Sequence, residues 1–165
     1  MTGARQPEKA RPLRGWLFGL VLAALGGLSG YSVAGEQPIV VNADTGLALS
    51  GVDPVAYFTD RKPVFGRPDV ELSRFGAVWR FRNSGNRDAF VANPEVYMPQ
   101  FGGYDPVAIE RGRAVAGHPL IWTVIGDRLY LFYSDADRAA FLADADRITA
   151  AAMRKWREVA RAASP

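Results

Sequence analysis

The pattern G-x-D-P-V-A occurs twice in this chain, as Gly51–Ala56 and again as Gly103–Ala108, at an offset of 52 residues. A second echo lies downstream: Arg87–Phe90 (RDAF) returns as Arg138–Phe141 (RAAF) at an offset of 51, and Gly76 pairs with Gly126 at 50. A near-constant offset through unlike segments is the signature of an internal duplication. It predicts an α+β fold of two pseudo-repeated β-hairpin-plus-helix units, 51–102 and 103–162, sharing one core. A lead-in, residues 35–50, precedes them, and Ile39–Val41 within it has the composition of a short strand.

Each unit opens with an Asp-Pro pair. Asp at a helix cap accepts hydrogen bonds from free backbone N–H groups, and Pro next to it lacks a donor that would go unpaired. One helical turn is expected after Asp53-Pro54, through Val55–Phe58. Residues 60–69 hold Pro63, Gly66 and Pro68 and read as a loop. Glu71–Phe75 and Val78–Arg82 then alternate apolar and charged residues around Gly76-Ala77, which predicts a hairpin. Ser84 is placed to cap the next helix, with Phe90 and Val91 on its inner face. Asn93-Pro94 begins a further turn that carries Tyr97 and ends at Pro99. In the second unit, Leu120–Ile125 and Arg128–Tyr133 flank Gly126-Asp127, a pair suited to a two-residue turn. Ser134 and Asp137 have capping-box spacing. Phe141, Ala145, Ile148, Ala152, Trp156 and Val159 form one apolar stripe at three- and four-residue steps, predicting a long C-terminal helix packed on both hairpins.

The chain begins with a polar, basic stretch, a thirteen-residue apolar run (Trp16–Leu28) and small residues at Ser32 and Ala34. This is the layout of a secretory signal peptide, residues 1–34, cleaved after Ala34. The alternative is a membrane anchor, since residues 15–34 carry no charge and are about long enough to span a bilayer. Either way an exported protein of the periplasm or cell envelope is expected, touching the membrane only through this segment if it is retained. The net charge of +3 arises here: Arg5, Lys9, Arg11 and Arg14 stand against Glu8, and the remainder is balanced. A neutral body argues against nucleic acid as a partner. The absence of cysteine excludes disulfides, thiolate catalysis and Cys-type zinc sites.

Candidate site residues are few. Asp53 and Asp105, if the duplication brings them together, would shift each other's pKa and could share a proton or a hard cation. Each also has a capping role that explains it without a ligand. Tyr57, Tyr97 and Tyr104 pair an apolar body with a polar tip and could line a small-ligand pocket between the units; core tyrosines have the same character. His118 is the only histidine. As a metal ligand it would need partners such as Asp53, Asp105, Asp127 or Met98, at no recognised spacing. Trp79, Trp122 and Trp156 read as core anchors. No catalytic triad order, phosphate loop or dinucleotide fingerprint is present, and a non-enzymatic protein is expected.

Four segments together resemble exported YHS-domain proteins: Gly51–Phe58 (GVDPVAYF), Asn86–Tyr97 (NRDAFVANPEVY), Pro99–Tyr104 (PQFGGY) and Trp122–Ser134 (WTVIGDRLYLFYS). The likeness covers roughly residues 42–157. It implies a small α+β module that binds or senses a heavy metal, copper above all. In that family a cysteine follows the Gly-Gly-Tyr run. Asp105 stands there in this chain, exchanging a soft Cu(I) ligand for a hard carboxylate. The resemblance therefore implies either a module that binds a divalent metal or small ligand, or a scaffold for an unknown protein partner in which metal binding has gone with the cysteine.

Overall fold

The computed structural model describes residues 1–3 and 38–163. Apart from its first three residues, the expected signal peptide or anchor lies outside the described residues. Among these, no helix is long and apolar enough to cross a membrane.

The fold is α+β, and the duplication is visible element by element. A 3-10 turn, Leu49–Gly51, leads to α1 (Ala56–Thr59), then β1 (Arg67–Arg74), β2 (Ala77–Phe81), α2 (Ser84–Ala92) and α3 (Pro94–Tyr97). A second 3-10 turn, Gln100–Gly103, leads to α4 (Pro106–Glu110), β3 (His118–Ile125), β4 (Arg128–Phe132), α5 (Asp135–Ala143) and α6 (Ala145–Ala163). Both hairpins are two-stranded and antiparallel, and both carry the same irregularity. The register jumps from Arg67↔Phe81 to Glu71↔Arg80 in one, and from His118↔Phe132 to Trp122↔Leu131 in the other. This corrects the expected strand starts at Glu71 and Leu120. Pro68 and Pro119 fall in the unpaired residues of these bulges, where a missing N–H costs no ladder bond.

The two-residue turns are Phe75-Gly76 (φ +55° and +69°) and Gly126-Asp127 (both +56°). Successive left-handed residues suit the twist of a hairpin. Structurally, Gly76 matches Asp127 and Phe75 matches Gly126, so the equating of Gly76 with Gly126 is corrected and the hairpins share the offset of 51. Either turn position accepts glycine, which is why the two copies can place it differently.

Other local expectations also change. Asn83, not Ser84, caps α2, its side chain accepting from the Asn86 N–H. Phe90 is buried but Val91 is exposed. Residues 39–41 form no strand, only the single bridge Val41↔Ala48. Ser134 caps α5 as expected, its Oγ accepting from the Asp137 N–H and donating to the Asp137 carboxylate. The last helix is not continuous. The chain breaks at Asp144 (φ −156°, ψ 62°), as it does at the matching Asn93 (φ −141°, ψ 61°). Hence α2 and α5 are equal in length, and only α6 outgrows its counterpart α3.

The shared core is two-lobed. Val52, Val55, Tyr57, Trp79, Phe81 and Phe90 belong to one lobe; Val107, Ile109, Phe141, Ile148, Ala152 and Val159 belong to the other. They meet along β4, where Leu129 and Leu131 join the first lobe while Tyr130 and Phe132 join the second. A strand buried on both faces alternates its side chains between two interiors. The stripe of α6 packs in the second lobe with Val107 and Ile109 of α4, rather than against both hairpins. The lengthened helix covers the short α4, which cannot bury its own apolar side. Of the expected anchors, Trp79 is fully buried, whereas Trp122 and Trp156 are half-buried at the edges of their lobes.

Candidate functional site

The two Asp-Pro corners are built alike. Asp53 Oδ1 accepts from the Val55 N–H (2.9 Å), and Oδ2 accepts from the Arg82 N–H (2.8 Å) and from Asn86 Nδ2 (2.7 Å). Asp105 Oδ1 accepts from the Val107 and Ala108 N–H groups (2.8 and 3.3 Å), and Oδ2 accepts from the Tyr133 N–H (2.8 Å). Both carboxylates are wholly buried. Each ties the helix start of its unit to the residue that follows its hairpin. Such bonds replace the water that a buried carboxylate gives up. The expected acid–base or cation-holding pair finds no support in these bonds. The two carboxylates have no hydrogen-bond partner in common, and each is engaged within its own unit.

The three tyrosines do not converge. Tyr57 is buried, and its hydroxyl donates to the Pro119 carbonyl at 2.8 Å. Burial, with the Asp53 charge adding, pushes its pKa well above the ordinary phenol value, so it remains a neutral donor. Tyr97 is half-buried, edge-on to Phe58 with 5.5 Å between ring centroids. Tyr104 is half-buried against Trp156 in the second lobe.

His118 is exposed, and its Nδ1 accepts from the Leu120 N–H at 3.2 Å. That bond occupies the Nδ1 lone pair that a metal ion would take. Among the described residues, no three of His, Asp and Glu are grouped to hold a metal ion. Neither Asp105 nor His118 therefore belongs to such a group. His118 instead borders a groove of about 290 Å³ with Val40, Val41, Leu49, Pro119 and Leu131.

A larger cleft, of about 490 Å³, lies between α1 and the β3–β4 hairpin. Tyr57, Phe58, Trp122 and Val124 line it with apolar and aromatic surface; Arg61, Thr123, Gly126 and Asp127 supply its polar part. Trp122 stands edge-on to Tyr57 at 5.1 Å. Arg61 and Asp127 both have left-handed backbones, φ +52° and +56°. The hairpin turn accounts for Asp127, whereas Arg61 adopts that region at a cost outside any hairpin turn, as residues at binding sites often do. Of the sequence candidates Tyr57 lines this cleft, as do Asp127, which the sequence offers only as a partner for His118, and Trp122, which it offers only as a core anchor. Phe58 and Arg61 are hidden in the sequence by their places in an ordinary helix turn and a loop. The one usable signal is the density of aromatic residues in Tyr57-Phe58 and at Trp122. Comparison with family models, with curated proteins and with solved structures finds no match.

Proposed function

We propose that this is an exported, non-enzymatic YHS-like module of the cell envelope that binds a small organic ligand in the cleft between α1 and the second hairpin. The supporting observation is the cleft itself. At about 490 Å³ it has the size of a small-molecule site, and it joins aromatic walls (Phe58, Trp122) to a cation, Arg61. A flat apolar body packs on the rings. A carboxylate or similar anionic end suits the guanidinium, which has no ion-pair partner among the described residues. The metal-handling reading has less support, because Asp105 and His118 already use their acceptor atoms. The test is titration of the protein with a panel of aromatic carboxylic acids, following tryptophan fluorescence. Saturable change that weakens in Arg61→Ala and loses its signal in Trp122→Phe is expected. No saturable change with any acid overturns the reading.

A second reading, a scaffold docking another protein, is favoured by the surface beside α6. Ile125, Phe141, Ala145 and Met153 line a groove of about 310 Å³ there, and Met153 and Ile125 are exposed. Exposed apolar surface of this kind marks interaction sites. Co-purification of a partner that Met153→Glu abolishes would support it over the ligand site.

A further inference from the structure

The two corners match closely, with two differences: Asp105 Oδ1 accepts from the Ala108 N–H as well as from Val107, where Asp53 Oδ1 accepts from Val55 alone, and the side-chain donor of the first corner has no equivalent in the second. In the first unit Asn86, three residues past the cap of α2, donates its side-chain N–H to Asp53 Oδ2. The equivalent residue in the second unit, three past the cap of α5, is Asp137. An aspartate has no amide to donate. Asp137 instead accepts from the Ser134 hydroxyl at 2.7 Å and faces Arg111 at 3.4 Å. Asp105 is left with backbone donors only, and with a second carboxylate where its counterpart has a hydrogen-bond donor.

From this substitution within the repeat we propose that the second corner is a proton-sensitive joint. Uptake of one proton at the wholly buried Asp105 relieves the cost of keeping its charge out of water beside a second carboxylate, and so stabilises this corner. The first corner has the Asn86 amide, a donor, in the place of that second carboxylate. The joint operates independently of the ligand cleft.

The electrostatics run the same way. Burial lifts the Asp105 carboxyl above the ordinary carboxylate range, and the Asp137 charge adds to the rise, against three N–H bonds that lower it. A carboxyl whose pKa rises on folding stabilises the fold when protonated. That contribution is complete below the unfolded value of ~4 and is lost as pH rises through the folded value. The surrounding charges are accounted for element by element. Arg111, after α4, pairs with Asp137; Arg138 on α5 pairs with Asp135. Glu110 at the end of α4 is held by Arg147 and, through its carbonyl, by Lys155, both on α6. Tyr133 meets Asp105 through its backbone N–H. His118, paired in register with Phe132 at the start of β3, is the one nearby imidazole.

The experiment measures Tm against pH for the protein and three variants. The unaltered protein should gain several degrees between pH 7 and pH 5. Asp137→Asn, which restores the amide of the first unit, should raise Tm at pH 7 and flatten the profile in part, burial being the larger cause of its slope. Asn86→Asp should lower Tm at pH 7 and steepen the profile by building the second corner's chemistry into the first. His118→Asn should leave the profile as it was. Carboxyl 13C titration of Asp105 gives a readout independent of folding yield, with a midpoint above that of ordinary aspartates that drops in Asp137→Asn. A pH profile unaffected by Asp137→Asn, one abolished by His118→Asn, or an Asp105 midpoint in the ordinary range overturns the proposal.

Discussion

The Tyr57 hydroxyl donates to the carbonyl of Pro119, 62 residues away, at 2.8 Å. The bond joins the helix of the first corner to the bulge of the second hairpin. It falls where the β3–β4 ladder skips residues, so a carbonyl inside the bulge finds its partner in the other unit. The same ring meets Trp122 edge-on. One side chain thus fastens the two units and forms a wall of the cleft between them.

Tyr57→Phe keeps the ring and removes the donor, leaving a buried carbonyl unpaired. A loss of about 1–3 kcal/mol is expected, read as a lower midpoint in urea with the slope unchanged.

The hydroxyl itself should resist alkali. With its pKa raised by burial and by Asp53, Tyr57 should stay protonated in ultraviolet titration until the protein unfolds. Phenolate formation by all six tyrosines before unfolding would contradict this placement.

Gly66 and Gly117 occupy the same place in the two units, entering the hairpins where the backbone passes closest. A Cβ on Gly66 would lie 2.5 Å from the backbone carbon of Arg80, and one on Gly117 would lie 2.6 Å from Leu131 Cβ. Backbone and a strand Cβ cannot move aside. Each Gly→Ala variant should lose at least ~2 kcal/mol by overpacking, whereas Gly76→Ala, with open space around it and only the strain of φ +69° to bear, should lose about 1 kcal/mol. Chemical denaturation of the three side by side checks the order.

Acid should act in opposite senses on different carboxylates. The Arg82 guanidinium, followed by the Thr59 hydroxyl, holds Asp60 below the usual carboxylate range, and Arg67 does the same to Asp69. A depressed pKa contributes stability that is present above the unfolded value of ~4 and lost as pH falls through the folded value. Stability should therefore fall below pH ~4 by way of these ion pairs. Asp60→Asn should blunt that acid limb and leave the milder range above it unchanged. Thermal melts across the acid range measure it.

Much of this architecture can be read in the chain because the two copies preserve the corner residues and the helix motifs. Asp53-Pro54 and Asp105-Pro106 announce the corners, and Gly126-Asp127 announces a hairpin. The bulges are less legible. Pro68 reads as loop by any local rule, and only a ladder that skips residues lets a strand continue past it. The break at Asp144 is hidden because Asn93 is followed by a proline and Asp144 is not. Of the cleft the sequence shows only its aromatic residues, Tyr57, Phe58 and Trp122. Arg61, Trp122 and Asp127 become neighbours only once α1 packs against the second hairpin, a relation that no spacing encodes. The pairing of Asp53 with Asp105 draws no support from the structure for another reason: matching residues in a repeat need not meet, and each of these takes its hydrogen bonds from its own unit.

One hairpin-and-helix piece is used twice, each copy locked by a buried aspartate gripping the residue after its hairpin. Native-state hydrogen exchange of the Arg82 and Tyr133 amides tests this most directly. Both residues are exposed, yet their N–H groups are bound to Asp53 and Asp105. Both amides should be strongly protected, with Asp53→Ala releasing Arg82 and Asp105→Ala releasing Tyr133. Fast exchange at either amide in the unaltered protein, typical of exposed backbone, would contradict the shared lock.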